Sequence, residues 1–238
     1  MCTAIAYCTK DHYFGRNLDL EYSYNEDVII TPRYFPLPFR KSGTLKEHYA
    51  IIGMGIEVDS YPLYYDATNE MGLSMAGLEF PGNAKYSLYD VRKTNITPFE
   101  LIPWILGQCA TISEAKKLFS EINILDEPFN NDYGLTPLHW MVSDQKESIV
   151  VEAVKEGIMI YDNPQEVLTN NPTFDRQLNN LHEYDEITQI PGDLSSKSRF
   201  VRAFFVKKTF SFEICSTRRL IPDSVSSEIS LFLVSAFS

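Results

Sequence analysis

The sequence has no CxxC pair, only four histidines, no apolar run approaching the ~20 residues a membrane span needs, and no excess of basic charge. Each absence removes a class of function. Cys2, Cys8, Cys109 and Cys215 show no zinc-ligand spacing with one another or with His12, His48, His139 and His182, so neither metal-assisted hydrolysis nor a dithiol redox centre is expected. No cofactor is implied. Gly53 and Gly55 in IIGMGI imitate half of a dinucleotide fingerprint, but the third glycine and the following helix are missing, so both read as close-packed strand positions. Twenty-one Lys plus Arg against 32 Asp plus Glu give a net charge of -11, a field that disfavours nucleic acid and anionic membranes as partners. The N-terminus MCTAIAYCTKDHYFGR lacks a basic start, an apolar stretch and a small-residue cleavage site, so a cytoplasmic chain with reduced thiols is expected.

What is present suits a folded domain. The 238 residues are 44% hydrophobic and 22% charged, enough for one generous domain or two small ones. Short β-branched or aromatic runs separated by Asn, Asp, Gly and Pro predict strands over 2–8, 27–31, 49–58 and 72–80, and three more between 138 and 162. Helices are expected over PFELIPWILGQC (98–109), over EAKKLFSEI behind a Thr111/Glu114 capping-box pattern, through FDRQLNNLHEY, and through SRFVRAFFVKK. Strands, a helix pair, more strands and more helices point to a layered α+β domain rather than to repeating βαβ units. From Val206 onward the style changes: that segment holds eight serines and no glycine, against 12 serines and all 11 glycines before it. Its ISLFLVSAF stretch is apolar and uncharged, and reads either as a buried strand or as an aggregation hazard.

Candidate chemistry begins at the second residue. The small Cys2 side chain permits removal of Met1, which leaves a thiol and a free α-amine on one residue. A thiol of pKa ~8.5 and an α-amine of pKa ~7.7–8.0 exchange a proton with little mismatch, so nucleophile and base come together. Taken alone, the same cysteine reads more readily as a buried strand residue. His139 in LHW reads as a histidine satisfying a core hydrogen bond. Tyr22, Tyr24, Phe39, Met54, Ile56, Tyr65 and Phe129 are candidates for lining an apolar substrate pocket, and each is also readable as core.

Read together, MCTAIA, FGRNLDLEYSY (14–24), YPLYYDATNEMGLSMAGLEFPGNA (61–84), LHWMVSD (138–144), IYDNPQEVLTNNPTFD (160–175) and PGDLSSKSRFVRAFF (191–205) resemble the choloylglycine hydrolase family of N-terminal nucleophile hydrolases. That family comprises bile salt hydrolases and penicillin V acylases, and within it the sequence is similar to the bile salt hydrolases of intestinal lactobacilli. The resemblance implies an αββα sandwich, incomplete at its C-terminal end, in which a cysteine freed at the N-terminus attacks an amide carbonyl. It implies conjugated bile salts as substrate, with penicillin V or a non-catalytic scaffold as alternatives, and a homotetramer that a divergent C-terminus would disfavour.

Carried over by position, the resemblance makes Cys2 the nucleophile, Arg16 and Asp19 the pair of the FGRNxD motif, Asn170 the oxyanion-hole asparagine and Arg199 the second arginine. Asp19 would orient the α-amine, Arg16 would favour the thiolate, and Asn170 would donate to the developing oxyanion. The backbone of Glu79 would add a second oxyanion donor; its side chain stands where bile salt hydrolases carry Asn and penicillin V acylases Tyr. The implied domain covers 2–205. Residues 206–238 depart from the family pattern and are expected to be a divergent or truncated tail, either part of the same domain or poorly ordered.

Overall fold

The computed structural model describes residues 1–19, 23–184 and 191–217, the last eight of these as helical backbone. The ISLFLVSAF stretch and Tyr22 lie outside the described residues. Strands run over β1 Cys2–Cys8, β2 His12–Leu18, β3 Asp27–Thr31, β4 Leu37–Phe39, β5 Gly43–Leu45, β6 Ile51–Val58, β7 Tyr61–Asn69 and β8 Ser74–Glu79. They continue with β9 Thr94–Ile96, β10 Ile122–Ile124, β11 Leu138–Ser143, β12 Ser148–Val154, β13 Gly157–Asp162 and β14 Val167–Thr169. The helices are α1 Leu101–Gln108, α2 Ile112–Glu121, α3 Phe174–Leu181 and α4 Ser196–Thr217.

Side-chain alternation along the strands builds two cores. The large sheet is antiparallel in the order β13-β12-β11-β8-β7-β6-β3, and a small sheet has the order β14-β1-β2. On one face of the large sheet Met75, Trp140, Val142, Ile149 and Val151 pack against Leu101, Ile105, Ile112 and Phe119 of α1 and α2. The residues between them, Ala76, Leu78, Met141 and Val150, face the other way and share a core with Cys2, Ala4 and Ala6 of β1 and with Phe174 and Phe200 of α3 and α4. A period of two with both faces apolar is what a sheet covered on both sides requires. The result is helices, large sheet, small sheet, helices: the αββα order that the resemblance implied.

The strand expectations at 2–8 and 27–31 match β1 and β3 residue for residue. No expectation covered β2, β7 or β14. HYFGRNL is poor in strand formers, and its conformation is imposed by an antiparallel ladder running from Cys2 opposite Leu18 to Cys8 opposite His12. In β7 the polar Asp66 and the proline Pro62 interrupt the apolar pattern. The Thr111 cap forms, accepting from the Glu114 amide at 3.3 Å, but the Glu114 carboxylate reaches Ala110 N at 2.6 Å rather than closing the box on Thr111. Gly53 and Gly55 are close-packed as expected: a Cβ there would lie 2.2 Å from Asp66 O and 2.4 Å from Leu63 O.

Candidate active site

Cys2 opens β1 with its side chain buried between the sheets. Two residues distant in sequence meet it. Its backbone N–H donates to Asn170 Oδ1 at 2.8 Å, and Arg199 Nη2 donates to the same oxygen at 2.9 Å. Arg199 Nη1 also donates to Thr3 Oγ1 at 2.8 Å and to the carbonyl of Cys2. These two donors fix which end of the Asn170 amide carries oxygen. Its Nδ2 then donates to the Glu79 carbonyl at 3.0 Å, so Asn170 bridges the nucleophile candidate and the end of β8. The turn between β14 and α3 supplies Asn170, and the first turn of α4 supplies Arg199. Burial pulls the Arg199 guanidinium below its ordinary pKa, while Cys2 and Asp19 act in the opposite direction and Arg202 adds to the lowering.

Arg16 stands opposite Ala4 in the ladder, so it points from the small sheet toward the large one. There Nη1 donates to Gly77 O at 2.7 Å and Nε lies 3.1 Å from Asp66 Oδ2. Burial raises the Asp66 carboxyl above its usual range, and Arg16 partly offsets the rise. Asp66 was not singled out from the sequence; a lone carboxylate inside an apolar strand run was the available signal. Asp19 extends the ladder by one residue, its amide donating to Met1 O at 3.1 Å. The Met1 ammonium donates to Asp19 O at 2.6 Å and lies 3.7 Å from its Oδ2.

The choloylglycine hydrolase family of linear amide C–N hydrolases matches residues 2–214. The chain belongs to this family. It is 53% identical to a bile salt hydrolase/transferase of Lactiplantibacillus plantarum over 87% of this chain and 71% of that protein. The fold superimposes on a conjugated bile acid hydrolase of Clostridium perfringens with a TM-score of 0.81 and 37% identity, covering 88% of this chain and 73% of the other. A penicillin V acylase of Agrobacterium tumefaciens shares the fold, with a TM-score of 0.73 at 20% identity over 94% of this chain and 74% of that one.

In this choloylglycine hydrolase family member the remaining candidates divide into groups. Ile56 is buried in a small cluster against which Tyr65 and Phe129 pack, Tyr24 and Met54 are exposed, and Phe39 lies in the main core with its ring edge-on to Trp104 at 4.8 Å. Phe39 is therefore a core residue rather than a pocket residue. Burial foremost, then Glu26 and Tyr24, push the Tyr65 phenol up to about 12, while Arg16 opposes them. Tyr65 is thus within electrostatic reach of both Tyr24 and Arg16. The Glu79 side chain is exposed, and its backbone carbonyl is the part that meets the cluster. Two cavities of about 390 and 590 Å³ are lined by none of Cys2, Arg16, Asn170 or Arg199.

His139 is fully buried, 2.8 Å from Thr169 O through Nε2 and 3.3 Å from Glu152 Oε1 through Nδ1, with its ring stacked on Phe80 at 4.2 Å. The core reading given to this histidine holds. Among the described residues no cluster of His, Cys, Asp and Glu side chains could hold a metal, and no helix is long and apolar enough to cross a membrane.

Proposed function

We propose that the protein hydrolyses the amide bond of glycine- or taurine-conjugated bile acids, with Cys2 as nucleophile. The observation that carries this reading is the convergence of Asn170 and Arg199 on Cys2, in a chain whose relatives are named for that substrate class. Removal of Met1 turns the Cys2 N–H, now donating to Asn170 Oδ1, into an α-amine beside the thiol on the same residue. The amine takes the thiol proton as sulfur attacks the carbonyl carbon. One N–H of the Asn170 amide is spent on Glu79 O, and the other is the donor for the developing oxyanion, a contribution worth about 10²–10³ in kcat where such donors have been removed. The C–N bond then breaks as the α-ammonium returns its proton to the departing amine. Water, deprotonated by the same group, splits the thioester, releases the free bile acid and restores the thiol.

Arg199 carries positive charge to the carbonyl of Cys2, and Arg16 joins the two sheets behind the nucleophile. The apolar cluster of Ile56, Tyr65 and Phe129, with the exposed Met54 and Tyr24, supplies the surface for a steroid body. Purified protein incubated separately with glycocholate, taurocholate and penicillin V tests the reading through the amine released. Release of glycine or taurine supports it. Cleavage of penicillin V alone moves the assignment to the acylase branch, and no release from any of the three makes the chain a non-catalytic member on the same scaffold.

A further inference from the structure

We propose that Gln177 is a positioning residue that sets the Asn170 carboxamide against Cys2, an inference that rests on the cysteine amidase reading above. β14 ends at Thr169 and α3 begins at Phe174, so the residues between them have no strand ladder or helix to hold their carbonyl groups. Gln177, fully buried on α3, takes over that task with every polar atom of its side chain. Nε2 donates to Asn170 O at 2.6 Å and to Pro172 O at 2.9 Å, while Oε1 lies 3.1 Å from Thr169 Oγ1, whose single proton it shares with Ser196 O at 3.0 Å.

Two donors and one acceptor on a single planar group match what only a carboxamide offers. Thr169 also takes a hydrogen bond from Ser196 Oγ at 2.9 Å, so the clamp reaches the first residue of the helix that carries Arg199. Its own base is fixed as well, since the Phe174 N–H at the start of α3 donates to Glu152 Oε1 at 2.8 Å. The clamp holds the backbone of Asn170 from behind while the side chain works in front, with Oδ1 on Cys2 N and Nδ2 directed at Glu79 O. A displacement of about 1 Å at such a position is enough to cost about 10²-fold in rate.

Catalysis through Asn170 and simple satisfaction of buried carbonyls predict different behaviour in a double-mutant cycle of wild type, Gln177→Glu, Asn170→Ala and the double variant. Gln177→Glu keeps shape and acceptor but removes at least one of the two donors, and both when the carboxyl is ionised. The expected result is a kcat for glycocholate lowered about 10²-fold with KM within about twofold, and a double variant no slower than Asn170→Ala alone. The same cycle is read on the pH profile of Cys2 alkylation, followed by mass, which needs no substrate. Here both single variants are expected to displace the profile in the same direction, because each takes the Asn170 acceptor from the α-amine, and the double variant should move it no further.

Multiplicative losses in the double variant, or wild-type kcat in folded Gln177→Glu, overturn the proposal. Should Gln177→Glu fail to fold, Gln177→Met carries the same cycle, and wild-type turnover in folded Gln177→Met is equally fatal. Wild-type protein that turns over no conjugated bile salt defeats the functional reading alone; the alkylation cycle still decides the role of Gln177.

Discussion

Arg16 and Asp66 meet across the space between the two sheets, Nε to Oδ2 at 3.1 Å, with the Arg16 side chain 2% exposed. The contact is an ion pair without an aligned hydrogen bond, since Arg16 Nε has no acceptor in line, and the bond from Nη1 to Gly77 O supplies the directional anchor. The Asp66 side chain is 27% exposed, so removing it leaves the buried Arg16 charge compensated only in part by solvent. Asp66→Ala is therefore expected to lower unfolding stability by about 2 kcal/mol in urea titrations, less than for a fully buried pair, with Asp66→Asn less damaging. A loss below about 1 kcal/mol in Asp66→Ala would mean that Gly77 alone satisfies the guanidinium.

Met1 closes the β1–β2 ladder against Asp19, so a chain that keeps Met1 has Cys2 N as an amide and no local base. Intact mass of active protein is expected to begin at Cys2. Chains made with methionine aminopeptidase inhibited should fold but release no amine; full-rate turnover by such chains rules out the N-terminal nucleophile mechanism.

Burial pushes the Cys109 thiol up to about 12 and raises that of Cys8, with Glu166 adding to the rise at Cys8. Of Cys2, Cys8 and Cys109, limiting iodoacetamide at pH 7 should therefore label Cys2 first, and Cys2→Ser should abolish turnover because a hydroxyl is a far poorer nucleophile near neutrality. Replacing Cys8 or Cys109 by Ala should leave kcat unchanged. Peptide mapping that finds Cys8 or Cys109 labelled ahead of Cys2 contradicts this ordering.

The Glu79 side chain faces solvent, where a charge 4 Å from an oxyanion costs about 1 kcal/mol. Glu79→Asn is expected to raise kcat by no more than about fivefold and to change KM less. A lower kcat would assign the carboxylate a constructive part.

Asp193 holds the entry to α4, accepting from Ser195 N at 2.8 Å and Ser198 Oγ at 2.6 Å; the Ser195 hydroxyl foremost, then the Ser198 hydroxyl and the Ser195 amide, keep its carboxyl at about 2 rather than 3.8. A folded pKa below the unfolded one means that the stabilisation is complete above about pH 4 and is lost as pH falls toward 2. The gap in melting temperature between wild type and Asp193→Asn should shrink across that interval. A gap that does not depend on pH would show that the aspartate acts through shape alone.

Cys2, Arg16, Asp19, Asn170 and Arg199 were named from the sequence through the family resemblance that their motifs carry, and the structure brings Asn170 and Arg199 to Cys2. The strand matches at CTAIAYC and DVIIT were legible because each run carries its own propensity. β2 did not, since HYFGRNL takes its shape from hydrogen bonds to β1. Tertiary structure alone decided that Asp66 receives Arg16, that Phe39 belongs to the core with Trp104, and that Gln177 stands behind Asn170. Sequence patterns record what a residue does with its neighbours along the chain. Pairing a buried charge or a buried carbonyl depends on which strand or helix is laid opposite, and only closure of the two sheets on each other settles that.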